Sequence, residues 1–402
     1  MIDHENKVKE RVYERMDLSC EIEDDDLIRI IDDEIVKEKK TCLLSVRDRE
    51  RLMTQVFNSI RKFDVLQELL EDDDITEIMI NGSFDIYIER YGKIERCDRH
   101  FENDERLADI AQRIAALSNR IVNATVPIVD TRLADGSRVN IVLPPIAIDG
   151  PTITIRKFYK NPLTIEKMIE KGSLNWELAN FLRDVVRARY NIFVCGGTGS
   201  GKTTFLNAMS DFIPGDERII TIEDSAELQI RNIGNLVRLE ARNANVEGKN
   251  AVTIRDLIKT SLRMRPDRII VGEVRGEEAF DMLQAMSTGH DGSMCTGHGN
   301  SPMDMMSRLE MMILMGQDMP LSAIKKQLAS SIDILIFLSR LRDRSRRVLK
   351  VVEINGIKEG EINLNTLYEF KERGEEDGRL VGEIIKVNDL VNKDKLHARG
   401  IG

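Results

Sequence analysis

The chain lacks any C-x-x-C pair. Its five cysteines, Cys20, Cys42, Cys97, Cys195 and Cys295, are scattered and odd in number. That pattern excludes a zinc knuckle and a disulfide framework, and it predicts free thiols in a reducing compartment. Long apolar runs are also missing. Segments such as Ile332 to Leu338 fall far below the ~20 residues that a membrane-spanning helix needs. The opening stretch, MIDHENKVKE, has no apolar core of a signal peptide. These absences lead to the expectation of a protein that is cytoplasmic, or at most peripheral to a membrane. Positive charge is in deficit: 59 Lys and Arg stand against 69 Asp and Glu, a net charge of −10 with histidines neutral. Such a balance argues against non-specific nucleic-acid binding, although it leaves room for a local basic channel. What remains is the composition of a globular protein, and 402 residues suffice for two or three domains with real cores.

The most informative stretch is Asn191 to Thr204, NIFVCGGTGSGKTT. A short apolar run (Ile192, Phe193, Val194, Cys195) meets a glycine-rich loop, and an apolar-periodic segment (Phe205, Leu206, Met209, Phe212) follows. Gly196, Gly201, Lys202 and Thr203 satisfy G-x-x-x-x-G-K-[ST]. Glycines let backbone N–H groups converge on phosphate oxygens. Lysine reaches the β- and γ-phosphates, the Thr203 hydroxyl suits Mg²⁺, and the following helix points its positive end at the anion. Gly196, Gly197, Thr198, Gly199, Ser200, Gly201, Lys202, Thr203 and Thr204 are therefore the candidate nucleotide-binding residues, with ATP and Mg²⁺ as the expected cofactors.

Residues 1–60 are charge-rich and almost free of Gly and Pro, and Leu52, Val56, Ile60 and Phe63 recur at helical spacing. This segment reads as a helical appendage, either solvated or a docking arm. Residues 61–157 read as a small α+β domain. It has two strands around Asn81-Gly82, a turn at Tyr91-Gly92, a helix over Leu107 to Leu117, and strands over Arg138 to Leu143 and Thr152 to Arg156. Residues 158–172 read as a linker. From 173 to 402 a helix with Leu174, Leu178, Leu182 and Val185 leads into the glycine loop. Strands then alternate with helices: strands at Arg218 to Ile222, Arg268 to Val271, Ser293 to Thr296 and Ile332 to Leu338, and a helix opening with Ser301 as N-cap and Pro302 at its first position. This alternation predicts a largely parallel α/β sheet of the P-loop type, with ligand at the carboxyl ends of the strands. Two further strands, Val348 to Ile354 and Glu361 to Phe370, are expected before a charged, glycine-containing tail.

Three segments fall at predicted strand ends. In TIEDSAE, Glu223 and Asp224 follow a strand and can hold a Mg²⁺-bound water or orient the attacking one, or else serve as a helix N-cap. In RIIVGEVRG, the strand ends in Glu273, while the position where an acidic magnesium ligand is usual is Gly272. Glu273 is the candidate general base, with a structural ion pair to Arg275 as the alternative. In TGHDGSMCTGHGNSP, His298 follows a short strand and can report the γ-phosphate by gaining or losing a hydrogen bond; His290 is weighted lower. A metal site built on Cys295 and the two histidines lacks a fourth ligand at usual spacing. The arginines of residues 340–347 read as a solvated hairpin loop rather than a lipid-binding patch, and the methionines from Met303 to Met319 as helical core.

Together with the glycine loop, these segments resemble the secretion ATPase superfamily of type II and type IV secretion and type IV pili, where they are the Asp box, Walker B and His box. The blocks ITEIMINGSFDIYIERYGKI, DTRLADGSRVNIVLPP, ITIRKF, GGTGSGKTTFLNA, TIEDSAELQI, LRMRPDRIIVGEVRG and TGHGNSPMDMMSRLE look most like the CpaF/TadA branch, which serves tight-adherence (Flp-type) pili. The resemblance spans about 60 to 370. It implies a RecA-like ATPase domain, a hexameric ring, nucleotide sandwiched between the small domain and the P-loop domain, and an inner-membrane platform protein as partner. No direct nucleic-acid contact is expected. It also implies roles that spacing does not give: Arg156 and Arg138 as arginines brought to the phosphates, and Arg263 and Arg265 as a pair near a subunit boundary. The four-cysteine zinc insertion frequent in the type II secretion and type IVa pilus assembly branch is absent. Lys202, Thr203, Glu223, Glu273, His298 and Arg156 are the expected carriers of the cycle. Other cargo (type IV secretion or pilus retraction) and an ATP-binding scaffold with negligible hydrolysis are the alternatives.

Overall fold

In the computed structural model the described residues are 2–16, 22–39, 45–158, 162–242 and 249–401. Cys20, Cys42 and Asn161 lie outside them; Cys97, Cys195 and Cys295 are free thiols. The chain divides into two compact units, Met1–Tyr159 and Lys160–Gly402.

The first unit opens with three helices, α1 (Ile2–Arg15), α2 (Asp24–Lys39) and α3 (Val46–Arg61). They bury a core of their own from Val8, Val12, Leu27, Ile31, Ile35, Leu52 and Val56. After α4 (Val65–Glu71) come β1 (Ile75–Asn81), β2 (Ile86–Arg90), β3 (Lys93–Arg96), α5 (Asp104–Leu117), β4 (Ile128–Arg132), β5 (Arg138–Val142) and β6 (Thr152–Arg156). The strands form an antiparallel sheet in the order β3-β2-β1-β6-β5-β4. One face is apolar because alternate positions, Ile78 and Ile80, Val139 and Ile141, Ile153 and Ile155, all point to it; α5 covers it with Leu107, Ile110 and Ile114. The loop between β1 and β2 spans residues 82–85, longer than a two-residue turn. Arg106 of α5 ties α3 to this unit: its Nε donates to Asp64 at 2.9 Å, and an Nη donates to the Ser59 carbonyl.

The second unit contains α6 (Ile165–Glu170), α7 (Trp176–Arg187), β7 (Ile192–Gly196), α8 (Lys202–Ser210), β8 (Arg218–Glu223), β9 (Asn235–Glu240), α9 (Ile254–Ser261), β10 (Arg268–Val271), α10 (Glu278–Ser287), β11 (Met294–His298), α11 (Pro302–Gly316), α12 (Leu321–Ser331), β12 (Ile334–Arg340), β13 (Arg346–Lys358), β14 (Glu361–Glu376), β15 (Arg379–Lys386) and α13 (Asp394–Ala398). Nine strands run in the order β15-β14-β13-β12-β7-β11-β10-β8-β9. From β12 to β9 every pairing is parallel, whereas β13, β14 and β15 extend the sheet antiparallel. Alternate residues of the central strands face two different cores. Ile192, Val194 and Ile336 meet α7 and α8, while Phe193, Cys195 and Leu335 meet α10, α11 and α12. Burial on both faces explains why these strands read as continuous apolar runs. Ser301 caps α11 by accepting from the Asp304 amide at 3.0 Å, with Pro302 in its first turn.

Several elements differ from the sequence expectation. The stretch read as a linker contains α6, whose Ile165 and Met168 are buried. The tail read as giving way to charge after Glu372 instead continues β14 to Glu376 and adds β15 and α13. Its fastening is polar: buried Glu353 accepts from the Val391 and Asn392 amides at 2.9 and 2.7 Å, and Lys395 reaches Asp333 at 2.7 Å. The methionines divide between core and surface, with Met305, Met306 and Met312 buried and Met303, Met311 and Met315 exposed.

At the opposite end of the strands from the glycine loop, Arg268 is fully buried. It pairs with Glu217 through two bonds of 2.5 and 3.0 Å and donates to the Val186 carbonyl at 2.7 Å. Removing one partner of such a pair leaves the other charge buried and uncompensated. Arg268→Ala should therefore lose ~3–5 kcal/mol of unfolding free energy in denaturant titrations, and the double change Arg268→Met, Glu217→Leu should recover most of it. A loss below ~1 kcal/mol for Arg268→Ala would mean that the pair contributes little to the fold.

Candidate nucleotide site

β7 is buried at every position, so its end is fixed by packing on both faces. The chain then turns through Gly197, Thr198, Gly199, Ser200 and Gly201 into α8. Gly199 and Gly201 have φ of +70° and +91°, a left-handed conformation in which a side chain is strained. Helix α8 begins at Lys202 with no side-chain cap on its first turn. Its leading N–H groups are therefore available to an anion, and the helix dipole adds to their pull. Thr203 and Thr204 lie half-buried in that first turn.

Lys202 is buried, 8% exposed. Its ammonium donates to the Gly196 and Gly197 carbonyls, each at 3.2 Å, and lies 3.3 Å from Nδ1 of His298. Burial lowers its pKa, with Glu273 opposing that effect. His298 arrives because β11 runs beside β7 with His298 in register with Gly196. Its Nε2 lies 2.7 Å from Oε1 of Glu273. The imidazole pKa is lowered by burial, with Glu273 raising it and Lys202 and Arg275 lowering it. A neutral ring suits the lysine. The ammonium only donates, so it faces the Nδ1 lone pair, while Nε2 lies close to Oε1 of Glu273 without an aligned hydrogen bond between them. Glu273 itself follows β10 by two residues and is held on its other side by Arg275, 3.0 Å from Oε2. Arg275 also reaches Asp224 at 3.5 Å. A continuous polar chain thus runs from Lys202 through His298, Glu273 and Arg275 to Asp224.

Glu223 is the last residue of β8 and is 3% exposed. Its Oε2 accepts from the Glu227 and Leu228 amides at 2.7 and 2.8 Å, while Oε1 is buried without a hydrogen-bond partner among the described residues. Burial pushes its pKa up to about 7, against the two backbone donors. Gly272 now has a structural reason. A Cβ there would lie 3.0 Å from Cγ of Glu223, so the neighbouring strand's carboxylate occupies the space that a side chain would need.

The other expected residues are placed differently. Arg156 and Arg138 belong to the first unit and face each other across β6 and β5 in register; Arg156 is exposed and pairs with Glu77 at 2.7 Å. Arg263 and Arg265 are exposed in the turn after α9. Cys295 is buried in the core, His298 ends β11, and His290 lies four residues before that strand begins. Among the described residues no group of three or more His, Cys, Asp and Glu is placed to hold a metal by itself. The arginine run corrects the sequence reading. It does form the hairpin between β12 and β13, but Arg346 donates through Nε to the Gly199 carbonyl at 2.8 Å, and Arg347 turns to the Leu380 carbonyl at 2.6 Å and lies over the Phe370 ring. The Asp224–Arg275 contact and the Arg346 contact were missed because they join segments remote in sequence, with no periodicity to mark them.

The raised pKa of Glu223 makes a signed prediction. The unfolded chain ionises this group near the ordinary glutamate value and the folded chain only near 7, so the group costs stability as pH rises from about 4.5 to 7 and the cost is constant above. Relative to the parent, Glu223→Gln should gain stability over that interval, by at most ~3 kcal/mol. Melting curves of both proteins at pH 5, 6, 7 and 8 check this; parallel curves across the range would contradict it.

A family model described as "Type II/IV secretion system protein" matches residues 60–390. A putative conjugal transfer protein of Mycobacterium tuberculosis is 33% identical over 328 residues, covering 80% of this chain and 92% of that protein. The type IV secretion system protein PtlH of Bordetella pertussis is 32% identical, covering 72% and 92%. Among solved structures, the ATPase DotB of Legionella pneumophila superposes with a TM-score of 0.52 at 23% identity, covering 71% of this chain and 78% of that one. The pilus retraction motor PilT, solved with bound ADP, gives 0.53 at 19% identity, covering 84% and 86%. These last two likenesses speak for the fold. With the glycine loop, the strand-end residues and the domain order in place, the chain belongs to the type II/IV secretion system protein family.

Proposed function

We propose that the chain is a Mg-ATP hydrolase that works as a hexameric ring at the cytoplasmic face of a membrane. Its turnover would drive, through an inner-membrane platform protein, assembly of a tight-adherence (Flp-type) pilus or a related secretion machine. The observation that carries the ATP reading is the buried ammonium of Lys202. It sits among carbonyls and the uncapped start of α8, with a neutral imidazole between it and Glu273. A buried cation beside the uncapped N–H groups of a helix start fits an anionic polyphosphate. The PilT structure with ADP adds a nucleotide-bound protein of like fold. The pilus assignment rests on the quoted sequence blocks. A second reading keeps the chemistry and changes the cargo to conjugal or type IV secretion substrates, supported by the relatives so named.

The roles follow from position. Lys202 and the amides of Gly197 to Thr204 hold the phosphates. Thr203 would bind Mg²⁺ directly, and Glu223 through a water at its unpartnered Oε1. Bound magnesium supplies charge neutralisation for the transferring phosphoryl group. Glu273 orients the attacking water and takes its proton. Its Oε2 is held by Arg275, while Oε1, close to His298, makes no hydrogen bond among the described residues and is the oxygen left to accept from water. Anion binding at Lys202 pulls on the His298 end of that chain, which gives His298 its role as reporter of the γ-phosphate. Arg156 would offset phosphoryl charge, a role drawn from its place in the ITIRKF block, with Arg138 as its cross-strand neighbour.

Steady-state hydrolysis of Mg-ATP by the purified chain, beside Glu273→Gln, tests this reading. The parent should turn over, and the variant should still bind ATP with its rate reduced ~10²-fold or more. Equal rates would remove Glu273 from the role of base. Absence of turnover in both, with ATP bound, would favour a nucleotide-binding scaffold.

A further inference from the structure

The hairpin between β12 and β13 connects the phosphate loop to the antiparallel edge of the sheet. Its tip is ordered by side chains: Asp343 accepts from the Ser345 amide and hydroxyl at 2.9 and 2.6 Å, and through its other oxygen from the Leu380 amide at 2.9 Å. Arg342 clamps Glu372 on β14 with two bonds of 2.6 and 3.0 Å. Arg347 donates to the Leu380 carbonyl next to the start of β15. From this braced turn Arg346 reaches across to Gly199, and its Cδ lies 3.4 Å from where a Cβ of Gly201 would stand. The side chain thus bonds to one left-handed glycine of the loop and fills the space beside the other while remaining exposed.

Resting on the reading that the loop binds ATP, we infer that Arg346 is a positioning residue that sets the loop's affinity for nucleotide phosphate. Two physical effects act together. The bond to Gly199 restricts a loop whose glycines otherwise sample many conformations, so less ordering remains to be done on binding. The cation also sits on the carbonyl of the Gly199–Ser200 peptide. That polarises the peptide and strengthens its N–H as a donor. Among the described residues the N–H makes only a long 3.3 Å bond to the Gly197 carbonyl, and an anion oxygen is a better acceptor. The outer strands β14 and β15, remote from the glycine loop in sequence, acquire a purpose here: they hold the hairpin that holds the loop.

The test is calorimetric titration of the full chain with MgADP and with MgATPγS, for the parent, Arg346→Lys and Arg346→Gln, with the melting temperature of each nucleotide-free protein recorded. The glutamine variant should bind both nucleotides about tenfold or more weakly, the scale of a lost charge-assisted bond. The lysine variant should fall between, because charge is kept and the fork geometry is lost. Nucleotide-free melting temperatures should agree within about 1 °C, since an exposed side chain contributes little to global stability. Unchanged dissociation constants in Arg346→Gln, beside a parent that binds, would overturn this inference and leave the ATP reading standing. A weakened affinity matched by an equal loss in Arg346→Lys and a lowered melting temperature would overturn it in favour of general loosening. A parent that binds neither nucleotide would overturn both.

Discussion

A buried ammonium with no carboxylate at hydrogen-bond distance among the described residues is the constraint on which the candidate site depends. Lys202 has carbonyls and an imidazole for partners, and Glu273 stands one residue further along the chain of contacts. Burying a cation in this way is costly unless an anion completes the environment. The neighbouring features act in the same sense. Helix α8 presents an uncapped N-terminus, Gly199 and Gly201 take left-handed conformations in the loop before it, and β11 delivers a histidine whose pKa is lowered by burial. The second unit can be understood as a scaffold that keeps this cation, hydrogen-bonded but without a direct counter-ion among the described residues, at the carboxyl edge of a sheet.

The strand order makes that possible. With β7 between β12 and β11, and β10 and β8 beyond, the carboxyl ends bring Gly196, Glu223, Glu273 and His298 to one edge from segments spread over about a hundred residues of chain. Parallel register then fixes which groups meet: His298 opposite Gly196, and Gly272 beside Glu223. The absence of an acidic residue at the end of β10 is a packing consequence, because the adjacent strand's glutamate fills that space. Glu223 thereby combines a structural bond to two amides with one buried oxygen that has no partner.

Much of this was legible in the sequence because it is local. The glycine loop, the helix cap at Ser301, the strands at Thr152–Arg156 and Arg268–Val271, and the placement of Glu223, Glu273 and His298 at strand ends follow from patterns within a dozen residues. Helix α12 was also within reach, since Leu321, Ile324 and Leu328 recur at helical spacing after Pro320. The antiparallel edge was legible in part: Val348 to Ile354 and Glu361 to Phe370 read as strands, whereas the end of β14 and the edge strand β15 carry charges at exposed positions and so resemble solvated tail. Arg346 was hidden for a different reason: five arginines in eight residues look alike in one dimension, and only the register of the hairpin decides which one meets the loop.

The most direct measurement is calorimetric binding of MgATPγS to the parent and to Lys202→Gln, with folding of both verified by their melting curves. Binding by the parent, with a loss of ~100-fold or more in the variant, is the predicted result, on the scale of one or two bonds to a charged group. Equal affinity in the two folded proteins would contradict the claim that this buried lysine awaits a phosphate.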